Sequence, residues 1–171
     1  MIVLDAVSVV MIARAARDTA SGLAEASGPA SATLAMLPDA VAAAVQRIRD
    51  TGRVDLARVQ RILTGYAGEL DEIAEGVLSL DQHEHELEHQ LRWWGERETE
   101  LQALLTGLPA DDVEASRELA LFRGRISGAH AMLRHYTQQR RALADRHDEA
   151  DAGCAAGLDA DSREGAPRGG E

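Results

Sequence analysis

The sequence predicts an all-α protein: an elongated antiparallel helical bundle or coiled-coil hairpin of two ~50-residue helices, preceded by a broken N-terminal helical segment. Three observations carry this. Strand-like alternation is nearly absent, two long stretches hold a sustained 3-4 apolar spacing, and short Gly- and Pro-bearing turns divide the chain into thirds of similar length.

The second third carries the strongest pattern. Reading in 3-4 steps gives Leu56, Val59, Leu63, Tyr66, Leu70, Ile73, Val77, Leu80, Glu84, Leu87, Leu91, Trp94, Glu98, Leu101 and Leu105, of which only the two Glu are polar. A 3.5-residue repeat kept over this length marks a supercoiling seam, because a straight helix would rotate such a stripe off its partner. The last third repeats it through Leu119, Phe122, Ile126, Ala129, Leu133, Tyr136, Arg140 and Leu143, then weakens at His147, Ala150 and Cys154.

The boundaries follow from capping chemistry. Gly52 can close a helix in the left-handed conformation. Gly107, Pro109, and Asp111 with Glu114 read as a helix end followed by an N-cap and an acid three residues on. The first third is Ala-rich and is broken by Ser27-Gly28-Pro29 and by Pro38, which predicts helices over 3–26 and 39–50 that together cover the other two rods. The expected organisation is one helical domain, residues 1–157, made of segments 1–50, 54–106 and 110–157. The aperiodic, Gly-rich stretch 158–171 is expected to be disordered.

Charge predicts the register. Residues 69–88 hold eight acids and no Arg. If the two long helices fold about Leu108, residue i faces 216 − i. The acidic run then meets residues 128–147, which contain Arg134, Arg140, Arg141 and Arg146 against the single acid Asp145. Complementary charge of this kind specifies orientation more than stability, since an exposed pair contributes only ~0.3–0.5 kcal/mol.

Composition removes several function classes. A net charge of −11 opposes nucleic-acid binding, which depends on clustered cations. The single Cys154 allows neither an internal disulfide nor a Cys-based zinc site. The apolar start Met1–Ala13 lacks a basic n-region and is too short to span a bilayer, so membrane insertion and a cleaved leader are not expected. A cytoplasmic protein, or one exported without a cleaved signal peptide, is the expectation.

One motif points to catalysis. His85-Glu86-Leu87-Glu88-His89 matches H-E-x-x-H, in which two His one turn apart bind zinc and the Glu acts as base. The seam places Leu87 inward, so His85 and His89 face outward, where there is no shaped cavity to dry and orient a metal site. Neither metal nor cofactor is therefore expected, and the chain is read as not an enzyme. His85 and His89, with His83 nearby, remain the candidates for metal binding.

Trp93-Trp94-Gly95 is the remaining marked feature. Trp94 falls on the seam and Trp93 just off it, and a tryptophan beside a seam is either packed against the first segment or an interface anchor. As W-x-G within Ala-rich helices, the triplet resembles the WxG family of type VII secretion substrates of actinobacteria and their relatives. That resemblance implies a non-enzymatic helical hairpin that pairs with a partner. The chain departs from the family in that its heptads run through Gly95, where the family has a turn, and no Tyr is followed four residues on by an acid: Tyr66 is followed by Leu70 and Tyr136 by Arg140. The expected function is a helical protein–protein interaction module, a secretion-associated substrate, adaptor or chaperone, using Trp93, Trp94 and Gly95 toward another helical protein or itself. A metal-binding or zinc-hydrolytic protein and a self-associating structural coiled coil are the alternatives.

Overall fold

A computed structural model describes residues 3–25, 27–52, 54–107 and 113–164. Among them the chain is all-α, with helices α1 (Ala6–Gly22), α2 (Ser31–Ala35), α3 (Asp39–Thr51), α4 (Leu56–Gly107) and α5 (Val113–Glu164) and no strand. The chain divides into two compact units, 1–78 with 142–171, and 79–141. The single domain expected over 1–157 is thus two units, with α4 and α5 contributing to both.

Unit 1 gathers α1, α2, α3, the first part of α4 and the last part of α5. Its start is capped as the chemistry requires: the Asp5 carboxylate accepts from the Ser8 N–H at 2.9 Å, satisfying a first-turn donor. Helix α1 stops at Gly22 rather than near 26, because the chain turns back there. A Cβ on Gly22 would lie 2.8 Å from the Pro29 Cα, so only glycine allows the following loop to cross. Helix α3 ends as expected at Gly52, with φ of 63°. Asp55 caps α4 by accepting from the Arg58 N–H at 3.2 Å. The short α2 has no counterpart among the elements that the sequence predicts.

The core of unit 1 is closed. The α4 seam residues Val59, Leu63, Leu70, Ile73 and Val77 are wholly buried, as are Val41 and Val45 of α3 and Ala13 and Ala16 of α1. Ion pairs tie the periphery: Arg17 to Asp71, Arg47 to Asp159 at 2.8 Å, and Arg146 to Glu69 and Glu72 at 3.3 and 2.7 Å.

Helix α5 continues to Glu164, past the end expected at 157. Leu158 is wholly buried in the unit 1 core and Asp161 is 6% exposed, so 158–164 is packed helix and the disorder expected there is corrected. The physical reason is the company that stretch keeps. Ala150, Cys154, Ala155 and Leu158 all join the core cluster. A Cβ on Gly157 would sit 3.6 Å from Ile62 of α4. The expected disorder of 165–171 and the Asp111 cap lie outside the described residues.

Unit 2 is two helical segments only, 79–107 of α4 and 113–141 of α5, paired antiparallel. Helices α1 to α3 all belong to unit 1, where they share a core with the parts of both long helices in that unit.

Candidate interaction surface

With two helical segments instead of five, unit 2 closes its seam only locally. Leu101, Leu119 and Phe122 form a small buried cluster, against which Trp94 and Leu105 pack. Leu80 and Ala129 are also buried, whereas Glu84, Leu87, Leu91, Trp94 and Glu98 of α4 are only half-buried, as are Ile126, Leu133 and Tyr136 of α5. A lone antiparallel pair shields one side of each seam residue and leaves both flanks open.

The charge register holds here in part. Arg140 pairs with Asp81 at 2.6 Å and Glu84 at 2.7 Å, and both acids lie in the stretch expected to face it. They sit somewhat farther along α4 than 216 − i places them. Arg146 of unit 1 meets Glu69 and Glu72, close to that rule. Hydrogen bonding to these acids raises the pKa of Arg140 and Arg146 further above the arginine range.

Trp93 is 54% exposed and stands edge-on to Phe122, ring centroids 5.8 Å apart and planes at 67°. The neighbour its ring meets, Phe122, belongs to the same unit. Trp94 is half-buried on the Leu101–Phe122 cluster. Gly95 lies within α4, and nothing stands within 4 Å of where a Cβ would be. The triplet is therefore one turn of helix, with an exposed ring, a packed ring and an open position in succession.

Sequence reasoning missed the residues that accompany Trp93. Leu104, Leu121 and Met132 are 58%, 54% and 44% exposed. Each, like Trp93, immediately precedes a seam position: Trp94, Leu105, Phe122 and Leu133. In an antiparallel pair the residues preceding the seam on both helices share one flank. The Arg97–Glu118 pair, at 3.6 Å, spans that flank and shows the two sides meeting. The signal that could have found them is the spacing of eleven residues, three helical turns, between Trp93 and Leu104 and again between Leu121 and Met132.

The HELEH residues are placed as the heptad predicts. Leu87 is half-buried and His85, Glu86 and His89 are exposed. The His83 Nδ1–H donates to the Ser79 carbonyl at 2.6 Å. Among the described residues no three His, Cys, Asp or Glu side chains gather as a metal would require.

Unit 1 holds the buried polar chemistry. The Tyr66 hydroxyl donates to Asp151 at 2.5 Å, and the His147 Nδ1 lies 3.6 Å from the same carboxyl group. Burial, then the bond to Asp151, pushes the Tyr66 pKa upward. Burial and the Asp151 charge push the Cys154 thiol up to about 12. A thiol this far above neutrality carries almost no thiolate and is a poor nucleophile or metal ligand at neutral pH. These groups hold helices together within unit 1.

The fold defines the class, an all-α helical bundle with a two-helix hairpin unit. The chain matches no protein-family model, no curated protein and no solved structure. No described helix is long and apolar enough to cross a membrane.

Proposed function

We propose that this chain is a non-enzymatic helical interaction module, in which unit 1 is the folded base and the hairpin of unit 2 is the element that meets a partner helix. The observation that carries the reading is the contrast in one continuous seam: closed over Val59–Val77, half-open over Glu84–Glu98. Exposed apolar side chains at seam-adjacent positions are the residues that a third or fourth helix buries in a bundle. Trp93 is the natural anchor, since a large ring on a pre-formed helix is buried at low entropic cost. The Trp93-Trp94-Gly95 triplet supports placing the partner within a secretion-associated system, as a substrate, adaptor or chaperone.

A photo-activatable phenylalanine analogue in place of Trp93, expressed in the source cells, tests this. The expected result is a discrete protein adduct at position 93, absent when the analogue replaces Arg163 at the far end of α5. Adducts at 93 no more abundant than at 163 contradict the reading.

A further inference from the structure

The second flank of unit 2 differs in chemistry from the first. It is made of residues that follow a seam position, and the bond from Arg123 to Gln102 at 3.3 Å spans it. An open groove of about 710 Å³ lies here, lined by Ile126 and Leu133 at its floor and by Arg123, His130, Arg134 and Glu98 at its rim. Along this edge of α5, positions 123, 127, 130, 134, 137 and 141 read Arg, Ser, His, Arg, Thr and Arg, with no acid. Glu98 is the one carboxylate lining the groove, and it is engaged by Arg123 at 2.9 Å. Among the described residues no carboxylate comes within 4 Å of Arg134. In a chain of net charge −11, this edge of α5 is cationic over an apolar floor.

We propose that this groove is the docking site for an acidic amphipathic helix of a partner protein, with apolar residues at 3-4 spacing seated on Ile126 and Leu133 and carboxylates facing Arg134 and His130. The proposal rests on the interaction reading above and names the partner's chemistry. The geometry suits a helix-in-groove mode, in which apolar anchors supply affinity and flanking charge selects the sequence. From Arg123 to Thr137 the edge runs for about four helical turns, or roughly 20 Å, enough for two successive apolar anchors with their flanking acids. A cationic helix meets the same floor but places like charge against Arg134, which disfavours it.

The test uses the full chain and two fluorescein-labelled helical peptides of about fifteen residues. Both carry Leu at 3-4 spacing, one with Glu on both flanks of the stripe and the other with Arg. The Glu peptide is expected to bind saturably by fluorescence anisotropy, and the Arg peptide is not. Arg134→Glu exchanges an exposed attraction for a repulsion and is expected to weaken the Glu peptide by about three- to tenfold at low salt. Ser127→Trp, at an exposed position, fills the groove and is expected to abolish binding. Circular dichroism shows whether both variants stay folded. No saturable binding of the Glu peptide, equal binding of the two peptides, or indifference to Arg134→Glu overturns the proposal. A concentration-dependent dimer by light scattering, lost in both variants, also overturns it, by assigning the groove to a second copy. If peptide binding fails while adducts at position 93 persist, only the groove assignment falls. If both fail, the interaction reading falls with it.

Discussion

Leu63→Ala is expected to lower the unfolding free energy by about 2–5 kcal/mol, the range for a fully enclosed leucine whose loss leaves a cavity. Leu87→Ala, on the same helix and the same seam, is expected to cost about 1 kcal/mol or less, since a half-covered side chain loses about half its transfer term and leaves no enclosed void. The two substitutions have the same chemistry and differ only in surroundings. Leu63 is wholly buried within the unit 1 cluster, where α1, α3 and α5 also contribute. Leu87 lies in unit 2 and is half-exposed. Urea denaturation followed by helicity reads both. Equal costs would mean that the hairpin seam is as closed as the bundle core.

Arg58→Met is the second large effect expected. Arg58 pairs with Asp161 at 3.3 Å, and the Asp161 side chain is 5% exposed, its second oxygen without a hydrogen-bond partner among the described residues. Removing the cation leaves a buried carboxylate without its counter-charge, a change that costs ~3–5 kcal/mol where both partners are buried. The Arg58 side chain is 41% exposed, so solvent screening reduces the expected loss to on the order of 2–3 kcal/mol. Asp161→Asn in the same background should recover most of it, because the stranded charge is then gone. The double-mutant cycle by thermal or urea denaturation measures that coupling. Additive losses from the two substitutions would show that Arg58 acts through contacts other than Asp161.

The helices were legible because each is written in a short-range code. The 3-4 spacing marks the α4 seam residue by residue, and along it only Leu56, in the first turn, is exposed among the positions from Leu56 to Leu105. Gly52 and Pro38 mark real boundaries of α3. What failed depended on partners distant in sequence. Ala150, Cys154 and Gly157 read as a fading heptad followed by a tail, yet small side chains are what the packing of unit 1 admits there. Nothing in the apolar stripe of α3, Val41, Val45 and Ile48, states which stretch of a long helix it will cover. That α1 to α3 share a unit with the first part of α4 and the last part of α5 is a long-range fact of this kind.

The same limit governs the candidate surface. The outward placement of HELEH was legible because its two His and Leu87 fall on opposite sides of one helix, a local fact. Trp93 could not be resolved, since its exposure depends on whether another helix arrives. Leu104, Leu121 and Met132 were unremarkable one at a time. They form a flank only once the antiparallel pairing brings the positions preceding the two seams to one side.

Native-state hydrogen exchange resolved by residue tests the central claim most directly. Amides of 59–77 and 143–158 are expected to open only with global unfolding, whereas those of 84–98 and 126–140 exchange through a lower-energy opening of the hairpin. Saturating partner or peptide should raise protection in the second set alone. Uniform protection across both sets in the isolated chain would mean that the two-helix seam is complete without a third helix, and would contradict the proposed role of unit 2.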